Sequence, residues 1–158
     1  LLDLGIYVIG FSSMIFGQPP QKATGFGFIG VYGSDEQGAS ILEYDNGALA
    51  ILTFALRTAT VNDAYIYGTD GYIKIPDLFA VPVVATLHIN GQKEVEFEKP
   101  IRGNGLHYQV QEVHRCLREG LLESPRLPLE ESLQIMETMD KIRSSWDLKY
   151  PNDENNLF

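Results

Sequence analysis

Basic residues are scarce in this sequence. The 158 residues include 12 lysines and arginines against 21 aspartates and glutamates, which gives a formal net charge of −9. Nucleic acids and anionic membrane surfaces attract proteins through clustered basic groups, because binding releases counterions from the phosphates. We therefore expect no nucleic acid and no membrane among the partners of this protein.

Cysteine and long apolar runs are also scarce. Cys116 is the only cysteine, so no internal disulfide can form, and the reducing cytoplasm is the expected location. Because Cys116 falls within a helical pattern, we interpret it as a small buried or half-buried residue and not as a nucleophile. The uncharged stretch 4–17 is shorter than the about 20 residues of a membrane helix, and no positively charged segment precedes it as in a signal peptide.

The length of the chain favours one domain. With 158 residues it can bury its own core but is too short for a second full domain. It begins with leucine, and its first residues already follow an amphipathic pattern without a helix cap before them. We therefore expect residues 1–158 to be a single domain from the downstream part of a longer protein.

Hydrophobic periodicity predicts one helix, then a series of strands, then two helices. The first helix is predicted to end at Gly17, before two prolines, and its apolar residues recur at helical spacing: Leu4, Val8, Phe11 and Ile15. Hairpin turns between alternating strands are predicted at three dipeptides: Asn46-Gly47, Asp70-Gly71 and Asn90-Gly91. The two later helices have apolar faces at helical spacing: Leu106, Val110, Val113 and Leu117, then Leu133, Met136, Met139, Ile142 and Trp146.

This order of elements predicts an α+β fold. Consecutive hairpins form an open, mainly antiparallel sheet, and the helices are expected to pack on one of its faces. The other face carries phenylalanine, tyrosine and leucine as well as charges. An ordinary solvated face is one interpretation, because singly exposed apolar residues are common. We favour the other, in which this face is the interface of a homodimer or higher homo-oligomer.

The stretch Gly25–Gly30 reads GFGFIG and has the glycine spacing of a dinucleotide-binding turn. Such a turn needs a buried strand before it and a helix after it, but a Pro-Pro segment precedes this stretch and two more glycines follow it. Asp45 follows Gly25 by about the 20 residues at which the fingerprint places its ribose-binding acid. However, Asp45 directly precedes the Asn46-Gly47 hairpin turn, which accounts for its position. We interpret the stretch as a strand and expect no cofactor-binding residue in this chain. One side of that strand carries Thr24, Phe26 and Phe28, and the other carries Ala23, Gly25 and Gly27.

Four segments in order carry a family resemblance: LLDLGIY, AYIYGTDGYIKIP, GLHYQVQEVHRCLREGLLESPRLPLEESLQIMETMDKIR and LKYP. They cover nearly the whole chain and resemble the C-terminal domain of the family of glucose-fructose oxidoreductases, inositol dehydrogenases and dimeric dihydrodiol dehydrogenases. The dihydrodiol dehydrogenase branch is the most similar. The resemblance implies a substrate-binding and dimerising domain, and it implies that the NAD(P)-binding Rossmann domain of the family is absent from this chain.

The resemblance also implies a function. It predicts an oxidoreductase that transfers a hydride between a nicotinamide cofactor and a hydroxyl of a small-molecule substrate, a sugar-like or cyclic diol. NAD or NADP would be bound by the full-length protein and not by this chain alone. The alternative is a non-catalytic dimerisation or scaffold module of the same fold.

Asp3 and Tyr7 are the candidate catalytic residues. They are four residues apart on the predicted helix and share one face, and Asp3 lies near the helix N-terminus, where a carboxylate is favoured. Such residues also occur on ordinary amphipathic helices. In the branch that this chain resembles, however, the tyrosine of the Asp-x-Gly-x-Tyr motif is the acid/base. The resemblance therefore implies that Tyr7 moves the proton and that Asp3 orients the substrate hydroxyl or tunes Tyr7.

Phe79 and His107 are the candidate substrate-binding residues. Members of the family place aromatic residues near the position of Phe79 toward the substrate, although a core position is the ordinary role of such a residue. His107 is expected near the substrate cleft or the sheet. His107, Glu112 and His114 lack the spacing of a zinc site, so no metal is expected. Arg57 is interpreted as a charge at a strand end.

Glu98-Lys99-Pro100 has the same three residues as the catalytic Glu-Lys-Pro motif of the family. In the family that motif belongs to the nucleotide domain and precedes the segment that corresponds to LLDLGIY. Here it follows the last predicted hairpin strand. We therefore assign no catalytic role to Lys99.

Overall fold

The computed structural model describes residues 1–150 and 153, so Pro151 of the LKYP segment lies outside the described residues. Three α-helices and seven β-strands occupy this part of the chain. In chain order they are α1 Gly5–Phe16, β1 Lys22–Ile29, β2 Asp35–Glu43, β3 Leu49–Ala55, β4 Ala64–Tyr67, β5 Gly71–Ile75, β6 Val84–Ile89, β7 Val95–Glu98, α2 His107–Arg118 and α3 Leu129–Ser144.

The chain divides into two compact units. The three-stranded unit comprises residues 1–60 and 125–158, and the four-stranded unit comprises residues 61–124. Their sheets have the strand orders β1-β2-β3 and β4-β5-β6-β7, and every strand pair is antiparallel. The predicted α+β class with antiparallel strands is confirmed. The strands form two hydrogen-bonded sheets where consecutive hairpins suggested one, because the segment between β3 and β4 lacks the apolar alternation of a strand.

The predicted hairpin turns and the end of the first helix are confirmed. Gly47 and Gly91 have φ angles of 77° and 75°, in the left-handed region that glycine adopts without steric cost. The Asn46 side chain also accepts a hydrogen bond from the Ala48 N–H at 3.0 Å. Helix α1 ends at Gly17, with a φ of 64° and an N–H that donates to the Ser13 carbonyl.

Helices α1 and α3 pack on one face of the three-stranded sheet, where α1 contacts β3 and α3 contacts β1. The predicted apolar faces of these helices need correction. In α1 the buried residues are Gly5, Ile9 and Ser12, with the predicted Leu4 and Val8 beside them. In α3 the predicted Met139 and Ile142 are buried, but the predicted Leu133 and Met136 are exposed, because the helix is rotated relative to the predicted face. The buried face consists of Ile135, Thr138, Met139 and Ile142.

The first five residues of the GFGFIG stretch lie in β1, as predicted, and Gly30 follows the strand. Phe26 and Phe28 are exposed on the outer face of the sheet. Gly27 faces the helices, and a Cβ atom at this position would lie 2.9 Å from the Trp146 ring. Ser145 accepts a hydrogen bond from the Gly25 N–H at 3.0 Å. These glycines therefore allow the end of α3 to approach the strand closely.

The four-stranded unit buries far fewer side chains. Its only buried apolar residues in the described part of the chain are Ile75 and Cys116, and the burial of Cys116 was predicted. One face of its sheet carries a cluster of rings: Tyr65, Tyr67, Tyr72 and His88. The predicted apolar face of α2 exists but is exposed to solvent at all four positions: Leu106, Val110, Val113 and Leu117.

Candidate functional site

Tyr7 lies in the first turn of α1 and is 57% exposed. No hydrogen bond from its phenol to another side chain occurs among the described residues, so the hydroxyl is available to a ligand. Asp3 is also exposed, but it lies in the turn at residues 2–4 and not on the helix as expected, because the helix begins at Gly5. Leu4 occupies the N-cap position, and its side chain makes no capping hydrogen bond.

Asp3 borders a cavity of about 200 Å³ in the three-stranded unit. The cavity combines an apolar part formed by leucine and phenylalanine side chains with a polar rim. Its lining residues are Leu1, Leu2, Asp3, Leu4, Ser34, Asp35, Glu36, Phe54, Leu56 and Tyr150. The mixture of apolar walls and carboxylates is typical of sites that bind small polar ligands.

Asp35 is the most buried carboxylate of this cavity. Its carboxylate accepts a hydrogen bond from the Tyr150 hydroxyl at 3.2 Å. Burial, together with the negative charge and hydrogen bond of Asp35, raises the pKa of Tyr150 to about 12. Tyr150 therefore stays protonated near neutral pH and donates to Asp35.

Glu36 pairs with Arg57 at the same side of the sheet. The Arg57 Nη1 atom lies 3.0 and 3.2 Å from the two Glu36 carboxylate oxygens. The Arg57 side chain is largely exposed and follows the end of β3, as interpreted from the sequence. No sequence pattern marked Asp35, Glu36 or Tyr150 as neighbours of Asp3, because strand pairing and the packing of the chain after α3 bring them together.

Phe79 lies in the loop between β5 and β6 and is half-buried. Its N–H donates to the Asn62 carbonyl at 3.0 Å. Two residues earlier, the Asp77 N–H donates to the Asp63 carboxylate at 2.9 Å. Asp77 and Leu78 both have positive φ angles, of 49° and 33°. Phe79, which was predicted to line the substrate site, therefore belongs to a loop with an uncommon backbone conformation.

His107 is the first residue of α2, and its ring lies 4.0 Å from the ring of Tyr108. The other two residues considered as metal ligands have different surroundings. His114 is exposed, and Glu112 binds Arg115 at 2.8 Å and Ser124 at 2.6 Å. Across the residues that the structure describes, no group of three or more histidine, cysteine, aspartate or glutamate side chains is placed to hold a metal ion.

Lys99 follows β7 directly, as the sequence predicted, and its N–H donates to the Val83 carbonyl at 2.8 Å. The Glu-Lys-Pro sequence thus lies at the end of an edge strand.

None of the helices within residues 1–150 has the length and apolar character needed to cross a lipid bilayer.

The sequence matches a known family and a set of known enzymes. Residues 1–74 match the GFO/IDH/MocA C-terminal domain. The chain is 37% identical to trans-1,2-dihydrobenzene-1,2-diol dehydrogenase from Mus musculus, over 98% of this chain and 48% of the mouse protein. It is 36% identical to the enzyme of the same name from Xenopus laevis, over 96% of this chain and 48% of that protein. The chain therefore spans about half the length of these relatives.

Solved structures share the fold at lower sequence identity. An aldose-aldose oxidoreductase from Caulobacter crescentus, complexed with glycerol, superimposes with a TM-score of 0.76 and 16% identity, over 90% of this chain and 44% of that one. A 3-ketoreductase from Actinomadura kijaniata, in complex with TDP-benzene and NADP, superimposes with a TM-score of 0.77 and 21% identity, over 92% of this chain and 46% of that one. The sequence matches, with this shared fold, confirm the resemblance: residues 1–74 match the GFO/IDH/MocA C-terminal domain, and the chain is similar to the dihydrodiol dehydrogenases along nearly its whole length.

Proposed function

We propose that this chain is the substrate-binding and oligomerisation domain of an NAD(P)-dependent oxidoreductase. The full-length protein would transfer a hydride between a nicotinamide cofactor and a hydroxyl of a cyclic diol or sugar-like substrate. The observation that carries the proposal is the 37% identity to a dihydrodiol dehydrogenase over 98% of the chain. The single, buried Cys116 is consistent with a reducing, cytoplasmic location.

Tyr7 is the proposed acid/base of the reaction. Oxidation of an alcohol needs a group that accepts the hydroxyl proton while the nicotinamide accepts the hydride. The Tyr7 phenol is exposed at the start of α1 and is not engaged by another described side chain, which suits a group that must meet a substrate. Asp3, in the preceding turn, is proposed to orient the substrate hydroxyl or to tune Tyr7.

Phe79 and His107 are proposed to contact the substrate. An aromatic ring offers an apolar surface to the carbon skeleton of a cyclic diol, and an imidazole can donate or accept a hydrogen bond with a hydroxyl. Phe79 is half-buried in a loop, and His107 is half-buried at the beginning of α2. Both side chains therefore keep part of their surface available.

We propose that the described residues of this chain do not bind a dinucleotide. The glycines of GFGFIG lie in a strand, and Gly27 faces Trp146 rather than an open helix N-terminus. Binding of NAD or NADP is therefore assigned to the part of the full-length protein outside this chain. Calorimetric titration of the isolated chain with NADH and NADPH should show no binding, and micromolar affinity for either would overturn this assignment.

Self-association is proposed for the outer face of the three-stranded sheet. This face is opposite the helices and exposes five large apolar side chains: Phe26, Phe28, Ile41, Leu49 and Ile51. Contiguous apolar patches of this kind mark protein interfaces. Sedimentation at micromolar concentration should show a dimer, and a combined Phe26→Ser and Ile51→Ser variant should be monomeric. Met14→Ser, at an exposed position of α1, is the matched control; a monomeric wild-type protein would refute the proposal.

A non-catalytic dimerisation or scaffold module is the second candidate, because the same exposed apolar face would serve it equally well. The two functions differ in activity. The full-length protein, expressed with the coding sequence upstream of Leu1, should reduce NAD or NADP in the presence of trans-1,2-dihydrobenzene-1,2-diol or a related cyclic diol or sugar. A folded, dimeric protein that reduces neither cofactor with any of these substrates would favour the scaffold module.

A further inference from the structure

The loop at residues 76–79 has a backbone that its sequence does not favour. Asp77 and Leu78 are consecutive non-glycine residues with φ angles of 49° and 33°. Aspartate tolerates this region better than most residues, but leucine rarely enters it. Such conformations persist only where the surrounding structure holds them, and they are frequent at functional sites.

Burial of Leu78 does not hold this loop, because the Leu78 side chain is 56% exposed. Hydrogen bonds donated by backbone N–H groups flank the two residues instead. The Asp77 N–H donates to Asp63 Oδ1 at 2.9 Å, and the Phe79 N–H donates to the Asn62 carbonyl at 3.0 Å. The Val81 N–H closes the turn by donating to the Leu78 carbonyl at 2.8 Å.

The Asp63 carboxylate is itself held in place. Its Oδ2 atom lies 3.7 Å from Lys74 Nζ, and its side chain is only 20% exposed. Lys74 lies on β5, immediately before the loop in the chain, while Asp63 precedes β4. One carboxylate thus contacts the loop with one oxygen and the adjoining strand with the other. A charged acceptor makes a stronger hydrogen bond to a backbone N–H than a neutral one.

We propose that Asp63 is a positioning residue for substrate binding, which acts by holding the 76–79 loop so that Phe79 presents its ring to the substrate. The proposal rests on the proposed function, since it takes Phe79 as a residue that contacts a cyclic diol. Asp63 does not touch the substrate itself. Its loss should therefore weaken substrate binding and leave the chemical step unchanged.

The test uses the full-length enzyme and a double-mutant cycle. Asp63→Ala should raise KM for the diol by about 10-fold with little change in kcat. This pattern is expected when a variant loses binding energy that the bound substrate and the transition state share equally. Asp63→Asn should restore most of the affinity, because its amide oxygen can still accept the Asp77 N–H. In a Phe79→Ala background, Asp63→Ala should have no further effect on KM. Glu96→Ala, at an exposed position of β7, is the control and should leave KM unchanged.

Hydrogen exchange supplies a readout that does not depend on activity. The amides of Asp77 and Phe79 should exchange faster in Asp63→Ala than in the wild-type enzyme. Unchanged exchange, or a KM effect of Asp63→Ala that persists in the Phe79→Ala background of an active enzyme, would overturn the positioning role alone. A wild-type protein that oxidises no diol or sugar would overturn the proposed function, and with it the substrate role of the loop.

Discussion

The two units of the chain use similar strand patterns but bury their apolar side chains to different extents. In the three-stranded unit, helices α1 and α3 cover one sheet face, and eight buried side chains among the described residues form one cluster. In the four-stranded unit, Ile75 and Cys116 are the only buried apolar residues that the structure describes. The exposed apolar face of α2 shows that an amphipathic pattern predicts a face but not the element that covers it.

The largest expected contrast between the units is in stability. Met139→Ala removes a side chain that is 0% exposed in the core of the three-stranded unit and should lower the free energy of unfolding by about 2–5 kcal/mol. Val113→Ala, on the exposed face of α2 and 56% exposed, should change it by less than about 0.5 kcal/mol. Urea unfolding of both variants measures the difference, and equal losses would show that Val113 is buried in solution.

The close contact between β1 and the end of α3 provides a second test of how tightly the three-stranded unit is packed. Gly27→Ala places a methyl group 2.9 Å from the Trp146 ring and should lower the free energy of unfolding by about 1–3 kcal/mol. Gly10→Ala is the matched control, because among the described residues no group outside the adjoining helix backbone lies within 4 Å of the position that its methyl group would take on α1. That variant should be more stable than the wild type by about 0.5–1 kcal/mol. Thermal unfolding compares the two, and a Gly27→Ala protein as stable as Gly10→Ala would contradict the tight packing.

The smallest expected effect concerns Tyr150, at the margin of the three-stranded unit. An unfolded tyrosine loses its proton near pH 10, whereas folded Tyr150 keeps its proton until about pH 12. The folded state therefore binds more protons between these values, and the free energy of unfolding should fall as pH rises through this window. The stability difference between wild type and Tyr150→Phe should shrink from pH 9 to pH 12. A difference that is constant with pH would contradict the contact with Asp35.

Local chemistry made part of the fold predictable from the sequence. Asn46-Gly47 and Gly17 specify their own backbone conformations, so the hairpin and the end of α1 were predicted correctly. The buried face of α3 was predicted only in part, at Met139 and Ile142, because Leu133 and Ile135 are both apolar and only packing against β1 and α1 distinguishes them. Asp3 was placed on the helix, but the start of α1 has no capping side chain to mark it.

The candidate site was less predictable, because its contacts join distant parts of the chain. Asp35 and Tyr150 are 115 residues apart, and their hydrogen bond depends on the packed three-stranded unit. The contact between Asp63 and the Asp77 N–H spans 14 residues and depends on the loop conformation. Tyr7 and Phe79 were named from the family resemblance, and their roles in catalysis and substrate binding stay predictions.

The turnover of a Tyr7→Phe variant of the full-length enzyme tests the central proposal most directly. The substitution keeps the ring but removes the proposed proton carrier, so kcat should fall by about 10²- to 10⁴-fold. The melting temperature should be nearly unchanged, because the exposed hydroxyl makes no side-chain hydrogen bond in the described structure. Turnover and melting temperature should be measured on the same preparation. A stable Tyr7→Phe enzyme with near-normal turnover would contradict the catalytic assignment.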